Sequence, residues 1–184
     1  LDALVALADD ESPHVRFQLA FTLGETRDPR GVEGLARLAR DARNGGEIQT
    51  AILSSVGETA DRLAALLLAD EKFLAQKHAG PVLTQLMLVV GANPKPAAAL
   101  QLLTAITKQQ LPLATQQVVL AGLGQGLQRQ GSSLQKMLAG SQASAAIRSQ
   151  VAGLFTQALA VANDQEASLG RRAAAVRLLA FADF

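Results

Sequence analysis

The chain has 184 residues, 49% of them hydrophobic and 18% charged, enough to bury a core as one domain or one continuous array. It has no cysteine, which excludes disulfides, zinc–thiolate sites, a thiol nucleophile and covalent c-type haem attachment. The net charge of +1 conceals a division: residues 1–70 carry 12 acids and 7 bases, residues 71–184 carry 4 and 10, and no acid lies between Glu71 and Asp164.

The chain starts at Leu1 with no initiator Met and no leader-like run, so it is expected to be an excised piece of a longer protein. Leu1–Ala8 has the look of a second helix whose partner is missing. Ser12–Pro13 then supplies an N-cap and a first-turn proline for a helix over His14–Gly24, and Asp28–Pro29 repeats the punctuation before "PRGVEGLARLARDA", with Val32, Leu35 and Leu38 as its apolar stripe. The first of these helices recurs. Val15, Leu19, Leu23 and Gly24 fall on Ile48, Ile52, Val56 and Gly57 after 33 residues, on Val82, Leu86, Val90 and Gly91 after 34 more, and Val119, Leu123 and Gly124 follow after another 33. Apolar residues stepping i, i+4, i+8 mark one face of a helix, not the alternation of a strand. A glycine ending that face is expected either to take a left-handed cap or to admit a neighbouring helix closely.

Second helices are expected near Thr59–Ala69, Lys95–Thr107 and Ser133–Leu138. Past Gly140 the period weakens to one long helix with Ile147, Val151, Leu154, Ala158 and Val161 inward, and a final helix with Ala173, Val176, Leu179 and Ala180 inward. Helix pairs this short cannot bury their apolar faces alone. The expected fold is all-α: an α-solenoid of about five stacked antiparallel helix pairs, a single domain over 1–184. Its repeats are 1–8 (partial), 12–42, 46–70, 79–107, 113–139 and an irregular 143–184. The longest apolar runs, such as Leu63–Ala69, are far too short for a bilayer, so no membrane span is expected.

The first repeat, with Asp10, Pro13, Val15, Arg16, Ala20, Leu23, Gly24, Asp28, Pro29, Val32 and Leu35, resembles the HEAT-repeat family, in particular its short bacterial variants. The resemblance implies that Asp10 and Arg16 link neighbouring turns and helices by charged hydrogen bonds. Later repeats carry Gln49, Leu83 and Gln116 in place of the arginine, so no continuous ladder is expected. The order "VRFQLAFTLGE", "DPRGVEGLARLARD", "IQTAILSS", "AGLGQGL", "RRAAAVRLLAF" also resembles the helical region of large planctomycete-type extracytoplasmic proteins, in which a dehydrogenase portion precedes the helices and a c-type cytochrome portion follows. That resemblance implies a spacer or docking arm between redox domains, and a periplasmic or secreted location; no catalytic or haem residue transfers to this chain.

Candidate chemistry is sparse. Gly122, Gly124 and Gly126 imitate a dinucleotide loop, but the third glycine comes one place early and no βαβ pattern follows. Close packing explains them better. His14 and His78 have no second ligand at helical spacing. The carboxylates of "ADDES" at Ala8–Ser12 lack the spacing of a calcium loop and suit a helix start. Neither catalytic nor metal-binding residues are assigned, and no cofactor is expected. The acid-free stretch offers Lys72, Lys77, Lys95, Lys108, Arg129, Lys136 and Arg148, too thinly spread and without Trp or Tyr for stacking, which argues against nucleic acid. Glutamines at 109–110 and 116–117 add uncharged donors and acceptors. The candidate binding surface is therefore Lys95, Lys108, Gln116, Gln117 and Arg129, with Asp10, Pro13, Arg16, Gly24, Gly57, Gly91 and Gly124 as structural repeat positions. The expected role is a non-catalytic scaffold or protein-interaction module that holds flanking domains or docks a protein partner. The alternatives are the redox spacer and a weak binder of nucleic acid or another anionic polymer.

Overall fold

Helix starts follow the punctuation of the chain. In the computed structural model, which describes residues 1–93, 95–109, 111–140, 143 and 145–182 and all side chains there except those of Pro96, Thr107 and Lys108, helix α1 is Asp2–Ala6, α2 Pro13–Gly24 and α3 Pro29–Arg40. The Asp28 carboxylate accepts the Arg30 backbone N–H at 2.9 Å, capping α3 behind its first-turn proline. At α2 the cap position is Ser12, whose side chain makes no capping bond; the Asp10 carboxylate takes the Ser12 N–H at 2.8 Å. There follow α4 (Gly46–Ser55), α5 (Ala60–Leu68), α6 (Glu71–Leu74), α7 (Ala79–Ala92), α8 (Pro96–Gln109), α9 (Leu113–Arg129), α10 (Leu134–Gly140), α11 (Ala145–Asn163) and α12 (Leu169–Leu179). No strand occurs among the described residues, so the protein is all-α. Among them no helix is long and apolar enough to cross a membrane.

The backbone divides into two compact units, Leu1–Leu86 and Met87–Phe184, the division falling within α7. In the N-terminal unit, α2 packs on α3 and on α4, while α3 packs on α1 and α5. Alternate helices are thus neighbours in this unit. The core is the expected stripe: Leu19, Leu23, Ile48, Ile52, Val56, Val32, Leu35 and Leu38 are all buried. Val15 is a correction, being exposed on α2, because the buried position in that turn belongs to Arg16, which has polar partners to satisfy it. A second departure lies at 71–78, where no helix was expected. The Asp70 carboxylate caps α6 through the Phe73 N–H (3.0 Å), and Phe73 is buried with its ring edge-on to His78 at 5.6 Å.

In the C-terminal unit, α9 packs on α10, α11 and α12, α11 packs on α12, and α8 meets α11. Ile147, Val151, Leu154 and Ala158 are buried as expected, and Val161 is half-buried. The final helix is turned from its expected face. Val176 is 57% exposed, Ala173 and Ala180 are exposed and Leu179 is half-buried, whereas Ala175 and Leu178 are fully buried. In "RRAAAVRLLAF" apolar residues occupy nearly every place on the helix, so periodicity selects no face, and packing against α9 and α11 decides it.

Candidate functional site

The repeat positions are joints. Arg16 is 3% exposed, and its guanidinium donates to Asn44 Oδ1 (2.8 Å) and to the carbonyls of Asp10 (2.5 Å) and Glu11 (3.0 Å). Asn44, equally buried, donates to the Leu38 carbonyl at 2.7 Å. The chain thereby ties the start of α2, the turn before it and the turn after α3, with every bond to the cation charge-assisted. Asp10 contributes to Arg16 through its backbone carbonyl; its carboxylate serves the Ser12 N–H. Asn44 had no sequence signal beyond its place among turn residues, and the resemblance did not mark it.

Ion pairs continue the same tie. Arg30 reaches Asp2 (2.9 Å) and Asp28 (2.6 Å), Arg37 pairs with Asp9, and Arg40 Nε meets Asp70 at 2.6 Å. Three links, Asp2–Arg30, Asp9–Arg37 and Arg16–Asn44, share a separation of 28 residues. The hydrogen bonds from the Arg30 side chain and backbone hold the Asp28 carboxyl down at about 2 from 3.8. The Asp41 carboxyl is lowered by the Arg43 guanidinium first (2.6 Å), and Asp70 by the Phe73 N–H first and Arg40 after it.

The glycines divide. A methyl on Gly24 would lie 2.5 Å from Ser55 Cβ and 2.9 Å from its carbonyl oxygen, so α2 and α4 touch there. Gly91 and Gly126 face each other across α7 and α9, and a methyl on Gly126 would overlap the Leu88 carbonyl oxygen and sit 2.8 Å from the Gly91 carbonyl carbon. Gly124 makes room for the Phe181 ring, whose Cγ would be 2.6 Å away. Gly122, Gly124 and Gly126 thus lie within α9, not in a phosphate-cradling loop between strand and helix. Gly57 is the correction: it sits in a 3-10 turn (Gly57–Thr59) and a Cβ there would meet nothing within 4 Å. The left-handed cap is not used at any of the four repeat glycines; among the described glycines only Gly131 has positive φ, 67°. Pro13 occupies the first turn of α2 as expected.

The candidate binding surface is only partly brought together. Lys95 lines a cavity of about 350 Å³ with Lys136, Asn93, Gln130 and Ser132, under the Gln130 amide that donates to the Ala92 carbonyl. Arg129 is exposed at the end of α9 and is not among that lining. Gln116 is engaged internally, donating to the Leu111 carbonyl (2.6 Å) and accepting from Gln150 (3.2 Å), so it joins α9 to α11. The Gln117 amide nitrogen is buried without a hydrogen-bond partner. The side chain of Lys108, and Gln110 altogether, lie outside the described residues. His14 is exposed, and His78 Nε2 lies 3.2 Å from the Ala39 carbonyl, a hydrogen bond that places it structurally. Among the described residues no three His, Asp or Glu side chains group as a metal site.

A larger cavity, about 550 Å³, lies among α10, α11 and the turn following α12, with Arg148 in its lining; no sequence pattern marked it, since it is assembled from residues 134–182. The chain matches no protein-family model, no curated protein and no solved structure.

Proposed function

We propose that the chain is a non-catalytic helical-repeat scaffold: a HEAT-like α-solenoid of stacked antiparallel helix pairs, one array over 1–184, that holds flanking parts of a larger protein in place or docks a protein partner. The observation that carries this reading is the recurrence of a 28-residue separation in the Asp2–Arg30, Asp9–Arg37 and Arg16–Asn44 links. All three lie between residues 2 and 44: they tie α1 and the turn after it to α3, and α2 to the turn after α3, the contact between neighbours on which a stacked array is built. The packing of α2 on α4 and of α3 on α1 and α5 supports the same reading. Stiffness is what such a joint confers, and stiffness is what a spacer or docking arm needs.

Because the chain has no cysteine, Ala3→Cys and Ala180→Cys, both at exposed positions outside the three links, can carry a donor and an acceptor dye at unique positions. Single-molecule energy transfer should then give one narrow distance distribution, and solution scattering a radius of gyration above the ~16 Å of a compact chain of this length. A broad distance distribution, or a radius at the compact value, would remove the scaffold reading.

A further inference from the structure

The 550 Å³ cavity lies wholly within the C-terminal unit. Leu134 and Leu138 of α10, Val151 and Phe155 of α11, and Leu179 and Phe181 at the end of α12 line it. Phe181 is held as a wall because its ring rests on Gly124, where any Cβ would strike it. Arg148, in the first turn of α11, is exposed and lines the same space. Among the described residues Arg148 has neither an ion pair nor a hydrogen-bonded side-chain partner. No carboxylate occurs in the chain from Lys72 to Asn163 to supply one locally.

We propose that this cavity binds an amphiphilic carboxylate, an apolar chain ending in a single negative charge, with the chain against the leucine and phenylalanine walls and the carboxylate on the Arg148 guanidinium. The volume falls in the range of about 300–1,000 Å³ usual for small-molecule sites, which are mostly apolar with a few polar groups fixing orientation. A partner helix fits less well: a single helical turn, ~10 Å across and ~5.4 Å long, would already occupy the space. Charge settles the head group. A guanidinium can hold a carboxylate through two parallel hydrogen bonds, whereas a cationic head would be repelled by Arg148 and by the excess of eight bases over three acids in the unit. Of the other polar side chains in the lining, Thr156 is engaged with the Ala152 carbonyl at 3.2 Å and Gln135 is uncharged, so among the described residues Arg148 is the one cation the lining offers a carboxylate.

Dodecanoate, titrated into the full chain below its micelle concentration and followed by calorimetry, is the direct probe. Expected are a single saturable site and a negative heat-capacity change from apolar burial. Arg148→Gln should weaken dodecanoate about tenfold, the worth of one charge-assisted hydrogen bond, and leave dodecanol unchanged. Ala152→Leu, a substitution at an exposed helical position that fills the cavity, should weaken both ligands while the melting temperature holds. Absence of saturable binding, as when a further protein segment is the true occupant, would overturn the proposal. So would equal affinity of dodecanoate for Arg148→Gln and the parent chain, or unchanged affinity in Ala152→Leu.

Discussion

Replacing a glycine by alanine inside a helix should stabilise it by about 1 kcal/mol, because alanine loses less backbone freedom on folding. Gly126→Ala should do the opposite. The added methyl would overlap the Leu88 carbonyl oxygen and lie 2.7 Å from the Ala92 nitrogen and 2.8 Å from the Gly91 carbonyl carbon. All three are backbone atoms of the facing helix, so no side chain can turn aside. The α7 and α9 backbones must separate, breaking the contacts of the Gly91–Gly126 crossing, at a cost typical of overpacking, about 1–3 kcal/mol, beyond the propensity gain. Gly153→Ala is the internal control: Gly153 lies within α11, and its Cβ would meet nothing within 4 Å. It should gain about 0.5–1 kcal/mol, or roughly 1–4 °C in melting temperature for a chain of this size. Urea unfolding followed by circular dichroism reads both. A Gly126→Ala protein as stable as Gly153→Ala would mean that the two helices do not touch through bare backbone, and the close-approach account of these glycines would fall.

Three further outcomes follow from the joints and the core. Arg16→Ala and Asn44→Ala should each cost about 1.5–3 kcal/mol by stranding buried polar partners, and the double variant should cost less than their sum; strict additivity in the unfolding midpoints would show that the two side chains are not coupled. Asp28 titrates near 2 when folded and near 3.8 when unfolded, so its contribution is complete above roughly pH 4 and is lost as the pH falls towards 2. Asp28→Asn, which can still cap α3, should therefore show a flatter melting-temperature profile across that window than the parent chain, and parallel profiles would contradict the pairing with Arg30. On α12, Leu178→Ala should cost about 2–5 kcal/mol through a cavity, while Val176→Ala should stay within about 0.5 kcal/mol; the reverse order in thermal melts would restore the face that periodicity suggested.

Local chemistry was legible where it is self-contained. Asp28–Pro29 announces α3 because a cap and a fixed φ act within four residues, and Leu19, Ile52, Leu86 and Leu123 were readable as core because each closes a stripe on its own helix. What depends on distant neighbours was not legible. The burial of Arg16 in place of Val15 needs Asn44, 28 residues away. Phe73 is a lone aromatic in a polar stretch, and its burial depends on a four-residue helix that its own apolar pattern cannot announce. On α12 the alanines removed the contrast between faces on which every amphipathic argument rests. The candidate binding residues fared by the same rule: Lys95 reached a cavity, Gln116 was drawn into an internal joint, and Arg148 gained its place only when α10, α11 and the end of α12 were brought together.

The charge division noted at the outset has a structural counterpart in how each unit holds its helices. Where acids are plentiful, in residues 1–70, arginines tie neighbouring helices and turns to aspartate or asparagine, in addition to the close approach of Gly24 to Ser55. Where acids are missing, no ion pair joins helices among the described residues, and they meet through Gly91 against Gly126, through the Gln116–Gln150 amide pair and through Arg172 on the Ala162 carbonyl. The two solutions differ in what they demand of the surroundings. Exposed ion pairs weaken with salt and with protonation of their carboxylates, whereas a backbone contact between glycines and a neutral amide bond respond to neither. Among the bases of the C-terminal unit, Arg172 still joins helices, donating from Nε to the Ala162 carbonyl at 3.2 Å, whereas Arg148 is left exposed in the lining of the apolar cavity.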